Sequence, residues 1–152
     1  MKIKVLFVAE THPDFISRKI MNKMNTHYSH VLIVFDETEV FHAVGKGVCL
    51  DNFSEYIKDH VIAEAFNVEL KVSREYFLGF VEGSQGKDYS QSQIVGIAGG
   101  KEIHNGDGKM ICSELVGVVL TRMAGYHIPG CQDTWTPFDC YTSLKSGPVI
   151  VH

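Results

Sequence analysis

The sequence predicts an α+β domain, on three observations. Apolar runs of strand type crowd the first half, around Ile3–Ala9, Val31–Phe35 and Glu39–Val44. Helical spacing dominates much of the second half. Strands adjoin one another early and helices gather late, which is not the regular alternation of a doubly wound α/β fold. At 152 residues the chain is read as one domain spanning residues 1–152, long enough to bury a sizeable core.

Residues 3–9 open the fold as a strand. Pro13 stands where a helix can begin, and Phe15, Ile16, Ile20 and Met24 make one apolar helical stripe. Residues 29–35, rich in β-branched and aromatic side chains, predict a buried strand. Asp36-Glu37-Thr38 predicts a turn, and residues 39–44 a second strand broken by Gly45 and Gly47. Asp51 is placed as the cap of a short helix ending about Lys58. Phe66, Val68, Leu70 and Val72 alternate with polar residues, the mark of a half-buried strand. Ser73 then caps a helix ending near Gly83, a loop runs to Lys87, and Asp88 caps a helix ending at Gly99-Gly100. Asn105-Gly106-Asp107-Gly108 is a turn signal. Beyond it, Ile111, Leu115, Val118, Val119 and Arg122 fall at helix spacing, with Gly125 as the stop. Pro129, Pro137 and Pro148 predict a largely irregular tail, closing on a strand at Val149-Ile150-Val151.

Composition narrows the function classes. The chain is 45% hydrophobic and 21% charged, ordinary for a globular domain. A net charge of −4 without a basic run argues against a nucleic-acid partner. No apolar stretch approaches the roughly 20 residues of a membrane span. The apolar start is followed at once by Glu10, His12 and Asp14, unlike a signal peptide, so a cytoplasmic location is expected. Neither composition nor pattern specifies an oligomeric state. Cys49, Cys112, Cys131 and Cys140 form no C-x-x-C pair; Cys131 and Cys140 could bridge in an oxidising compartment, but without a secretion signal free thiols are expected. His27, His30 and the cysteines lack the paired spacing of a zinc site, so no metal and no cofactor is expected.

Cys112 carries the chemistry. A thiol in the first turn of a helix faces unpaired backbone N–H groups and the positive end of the dipole, and both favour the reactive thiolate. Such a nucleophile needs a base, and the base needs an orienting group. Eight histidines are available. His30 opens one strand and His42 lies within the next. Their numbers sum to 72, so a hairpin centred on Asp36 would set them directly opposite, near enough for an imidazole–imidazole hydrogen bond. A two-residue loop would break that alignment. His27 is a rival for the role of His30 but falls in the connection before the strand. His12 and His60 read as surface residues, His104 as a loop residue, and His127 and His152 lack context.

These residues resemble the circularly permuted branch of the NlpC/P60 superfamily of papain-like thiol hydrolases, in which the histidine strand precedes the cysteine helix. The matching segments are Tyr28-Ser29-His30-Val31-Leu32-Ile33-Val34, Val40-Phe41-His42-Ala43-Val44-Gly45-Lys46-Gly47-Val48 and Ile111-Cys112-Ser113-Glu114-Leu115-Val116. Gly86-Lys87-Asp88-Tyr89, Pro129-Gly130 and Thr136-Pro137-Phe138-Asp139 extend the similarity across most of residues 28–140. The chain departs from the pattern at Leu32, where the family often has glycine, and in its short loops. The resemblance implies an antiparallel sheet packed against helices, with Cys112 as nucleophile, His30 as base and His42 as the residue orienting it. It assigns Tyr89 beside the nucleophile, near the oxyanion, and Ser113 as the source of a backbone N–H there. Glu114 is read as a first-turn carboxylate favoured by the dipole rather than as a general acid.

The function so implied is that of a cysteine peptidase or amidase. It would cleave an amide bond, as in peptidoglycan stem peptides, through an acyl-cysteine. Without a secretion signal, access to a cell wall would depend on lysis or delivery by phage particles. Two alternatives stand beside this reading. One is an acyltransferase or thioesterase of the same fold, acting on a small acyl substrate. The other is a binding module that retains the fold without turnover.

Overall fold

A computed structural model describes residues 1–11, 18, 21–22, 27–87 and 111–149. The helices expected from Pro13 and from Asp88 lie largely outside the described residues, although Arg18, Met21 and Asn22 are themselves helical. The fold is α+β. Five strands, β1 (Lys2–Glu10), β2 (His30–Phe35), β3 (Glu39–Val44), β4 (Gly47–Asn52) and β5 (His60–Glu69), form one antiparallel sheet in the order β4-β3-β2-β1-β5. Four α-helices are described: α1 (Phe53–Tyr56), α2 (Arg74–Ser84), α3 (Cys112–Met123) and α4 (Pro137–Ser146).

The sheet is buried on both faces at its centre, which is why β1 and β2 read as nearly continuous apolar runs. On one face Val5, Phe7, Val31, Ile33 and Phe41 meet Phe77 and Val81 of α2 and Leu115, Val119 and Leu120 of α3. The other face carries a smaller cluster of Leu6, Val8, Leu32, Val34 and Val40, against which Phe53 and Tyr56 pack. Each fully buried side chain of this size contributes roughly 1.5–3 kcal/mol. The edge strand β5 is mostly exposed, and its register against β1 slips between Phe7 and Val8, a bulge of the kind that blunts sheet edges.

Several boundaries differ from expectation for local reasons. β4 is a strand where the glycines suggested only a break. The two-residue loop Gly45–Lys46 closes a hairpin on the pair Val44 and Gly47. Gly47 has φ +113°, and a Cβ there would stand 2.6 Å from the Lys87 carbonyl oxygen, so the position excludes larger residues. That close approach lets Val48 N–H donate to the Lys87 oxygen at 2.9 Å. Asn52, not Asp51, caps α1, its side chain accepting from Glu55 N–H. The helical segment is one α-turn followed by a 3-10 turn at Ile57–Asp59. β5 begins at His60, before the alternation at Phe66 becomes evident.

Ser73 caps α2 as expected, and α3 ends before Gly125, which has φ +77°. The tail is not mostly irregular. Pro137 sits in the first turn of α4 behind a capping box in which Thr136 and Asp139 satisfy each other's backbone N–H groups. Val149 is not in a strand, and the other two residues of the expected final strand lie outside the described residues.

Candidate active site

The turn between β2 and β3 sets the geometry of the two histidines. Phe35 pairs with Glu39 and Ile33 with Phe41, so the hairpin is centred on Glu37 and partner numbers sum to 74 rather than the expected 72. Asp36 and Glu37 both take positive φ, 52° and 64°, the mirror-image turn that matches strand twist. Arg74 holds the loop through two hydrogen bonds to the Asp36 carboxylate. His30 and His42 are therefore diagonal neighbours rather than direct partners. The shift is by two, an even number, so both rings stay on the same face. His30 Nε2 and His42 Nδ1 are 2.9 Å apart, and the rings meet edge to face.

A third group completes the chain. In the β3–β4 hairpin Cys49 is the direct partner of His42, and Asp51 stands two residues further along the same face. Asp51 Oδ2 lies 2.6 Å from His42 Nε2. An ionised carboxylate can only accept, so it fixes the tautomer. His42 carries its proton on Nε2 and offers the Nδ1 lone pair to the Nε2–H of His30. His30 Nδ1 is then left with a lone pair of its own. Burial, followed by the charges of His42 and His60, pushes the His30 pKa well below the ordinary histidine value. Burial also lowers that of His42, against the opposing hydrogen bond and charge of Asp51. At neutral pH both rings are uncharged, and His30 Nδ1 is a proton acceptor fixed in orientation by two further residues.

Tyr56 and His60 belong to the same neighbourhood. The rings of Tyr56 and His42 are 5.3 Å apart, edge to face, and His60 stacks on Tyr56 at 3.8 Å. His60 is half-buried and its Nδ1 hydrogen-bonds the Tyr56 carbonyl at 2.8 Å, which corrects its reading as a surface residue. Burial raises the Tyr56 pKa, with Cys112, Glu10 and Asp51 adding to the shift, so the phenol stays protonated and can only be a neutral donor or acceptor.

Cys112 is the first residue of α3 and is 4% exposed. Ile111 precedes it in extended conformation and supplies no side-chain cap, leaving the first-turn N–H groups to other partners. The helix packs on β2 and β3, the two strands that carry the histidines. Cys112 counts with the helix-side core, yet it acts electrostatically on Tyr56, which packs on the opposite face. The Ser113 hydroxyl is committed to the Trp135 carbonyl at 2.6 Å, so this side chain is structural and its backbone N–H is the group left for a site. Glu114 is buried in the first turn, with Oε1 accepting from Gln132 at 3.0 Å. Burial raises its pKa against that bond. Tyr89, assigned beside the nucleophile, lies outside the described residues. His27 is exposed in the connection before β2.

The chain matches no family model and no curated protein. Among the described residues no helix is long and apolar enough to cross a membrane. Asp51, Tyr56 and His60 are the neighbours that sequence reasoning missed. Asp51 had a findable signal: the loop Gly45–Lys46 alone sets the β3–β4 register and with it the pairs His42–Cys49 and Val40–Asp51.

Proposed function

We propose that the chain is a cysteine hydrolase of the circularly permuted NlpC/P60 type, cleaving an amide bond through an acyl-cysteine. The observation that carries this reading is the chain Asp51–His42–His30. It presents a neutral imidazole nitrogen of fixed tautomer from a strand against which a cysteine-bearing helix packs. An oriented base of this kind serves nucleophilic catalysis.

His30 Nδ1 takes the Cys112 proton as Sγ attacks the substrate carbonyl carbon and forms the C–S bond. The oxyanion is held by backbone N–H groups at the start of α3, that of Ser113 among them. The His30 imidazolium then protonates the departing amine as the C–N bond breaks. Water, deprotonated by His30, attacks the acyl-cysteine, and the C–S bond breaks to restore the thiol. Because the histidines project away from the main body of α3, thiol and imidazole must meet at the rim of the sheet where β2 begins. A small peptide is the substrate class this reading favours.

The test compares thiols within one protein. Cys131 is exposed whereas Cys112 is buried, so accessibility alone predicts faster alkylation of Cys131. Under the proposal, iodoacetamide near neutral pH labels Cys112 first, and His30→Ala removes that advantage. Slow labelling of Cys112 in both proteins would make the fold a binding module. A panel of peptide, ester and thioester substrates then separates hydrolysis of amides from acyl transfer or thioester cleavage.

A further inference from the structure

His42, Cys49 and Asp51 place a nitrogen, a sulfur and a carboxylate oxygen within 4.8 Å of one another. All three come from one rigid hairpin: His42 and Cys49 are cross-strand partners, and Asp51 is two residues along β4 on the same face. We infer that this hairpin cluster is a binding site for a soft divalent cation, zinc(II) by preference, whose occupancy takes Asp51 away from His42.

The chemistry fits zinc on three counts. Imidazole, thiolate and carboxylate are its ordinary ligands, and three of them with one open position make the usual solvent-accessible site. Thiolate and carboxylate together cancel the charge of the cation, so the occupied site is neutral, as a half-buried position requires. The spacing is also close to the need. Ligand atoms around a tetrahedral zinc stand about 3.3–3.7 Å apart, given bond lengths of about 2.0–2.3 Å. Cys49 Sγ and Asp51 Oδ2 are 3.8 Å apart.

The His42–Asp51 contact of 2.6 Å is a hydrogen bond that the metal would replace, and the half-exposed Asp51 side chain can open by the required distance. Burial and the Asp51 carboxylate raise the Cys49 pKa, against the charge of Lys46, so the thiol keeps its proton until a metal displaces it. On binding, the Cys49 thiol releases its proton to solvent as the Zn–S bond forms. The ligands lie on two strands and lack paired sequence spacing, which is why the sequence reading expects no metal here.

Binding of the metal does not depend on the hydrolase reading; inhibition by it does. The Asp51–His42 bond fixes the tautomer that leaves His30 Nδ1 as base, so zinc that claims His42 Nε2 and the Asp51 carboxylate disables the relay. Cadmium(II) titrated into the full chain should give an ultraviolet thiolate-to-metal charge-transfer band that saturates at one equivalent. Cys49→Ser should abolish the band, whereas a Cys112→Ser/Cys131→Ser double variant should keep it. His42→Ala should weaken the affinity by about a hundredfold or more, since even outer-sphere partners of a metal cost ten- to a hundredfold.

Zinc should also protect Cys49 from alkylation in the unsubstituted protein, read by mass spectrometry, which decides the matter if Cys49→Ser fails to fold. A band that survives Cys49→Ser, disappears in the double variant or never saturates overturns the site. So does an unprotected Cys49. If the metal binds at Cys49 but metal-free protein turns over no member of the substrate panel, the site stands and the hydrolase reading falls.

Discussion

Asp51→Asn is the sharpest perturbation of the proposed relay, because it keeps the shape of the side chain and changes only what it can accept. The carboxylate fixes His42 with its proton on Nε2. An amide can present its NH2 to that nitrogen instead, which moves the proton to Nδ1 and turns it toward His30. His30 Nε2 must then accept rather than donate, and its own proton moves to Nδ1, the atom that has to receive the thiol proton. One hydrogen bond to a charged group is at stake, about 1.5–3 kcal/mol. At 1.36 kcal/mol per decade that is about ten- to one-hundred-and-fifty-fold in kcat, with KM little changed.

Turnover of the best amide in the panel measures the loss, and the rate of Cys112 alkylation follows the same chemistry without a substrate. The pH profile separates positioning from simple structural damage. Asp51 raises the His42 pKa through its hydrogen bond and charge. Removing it should move the acidic limb of kcat/KM to lower pH, and Asp51→Glu should restore part of the rate. A variant within twofold of the unsubstituted protein, with an unmoved acidic limb, would refute the relay.

Cys112→Ala should reduce turnover to background while leaving the protein folded with a modestly lower thermal midpoint, since it removes one buried sulfur from the core; calorimetry alongside the activity assay checks both halves. His30→Ala should be nearly as damaging and His42→Ala partial, read from kcat in the same assay. Stability should decline as pH falls from about 6.5, because a group whose pKa is depressed on folding contributes stability above its unfolded pKa and loses it as pH falls through the folded one. Urea midpoints between pH 7 and 5 should fall, and should fall less in His30→Gln. Glu114, with a raised pKa, acts in the opposite sense, so a rising midpoint over that range would show that the carboxylate dominates. Gly117→Ala should destabilise by up to about 2 kcal/mol: overpacking costs about 1–3 and the helical gain from alanine offsets about 1. The added Cβ would overlap Cε3 of Trp135, and a Trp135→Leu background should remove the penalty in denaturant titrations.

The elements legible in the sequence are those whose local signal and tertiary role agree. β1 and β2 are apolar because the sheet is covered on both faces, and α2 and α3 show helical spacing with recognisable ends at Ser73 and Gly125. The elements that escaped carry signals with two meanings. Gly45 and Gly47 end one strand but also make the tight hairpin into β4. Pro137 suggests an irregular tail but serves as the first residue of a capped helix. An exposed edge strand such as β5 has no inward face to impose alternation on its first half. The tail has a further role invisible in one dimension, since Trp135 lies on α3 at Gly117 and its carbonyl accepts from Ser113.

The histidine pair shows what parity can and cannot supply. The expected pairing of His30 with His42 was displaced by two residues, yet the hydrogen bond between them forms, because an even displacement preserves the face. A displacement by one would have put the two rings on opposite faces of the sheet, out of reach of each other. The same argument explains Asp51. A carboxylate two residues from the cross-strand partner of His42 is on its face and within reach, whereas Asn52, one residue on, points away and caps α1 instead. The three polar groups of the proposed relay are thus spaced by strand period across two hairpins. Their burial would be costly without one another, since an unpaired buried imidazole forfeits its hydrogen bonds with water. Each ring therefore depends on the next, and the outermost member, half-exposed Asp51, is where solvent, metal or substitution can break the series.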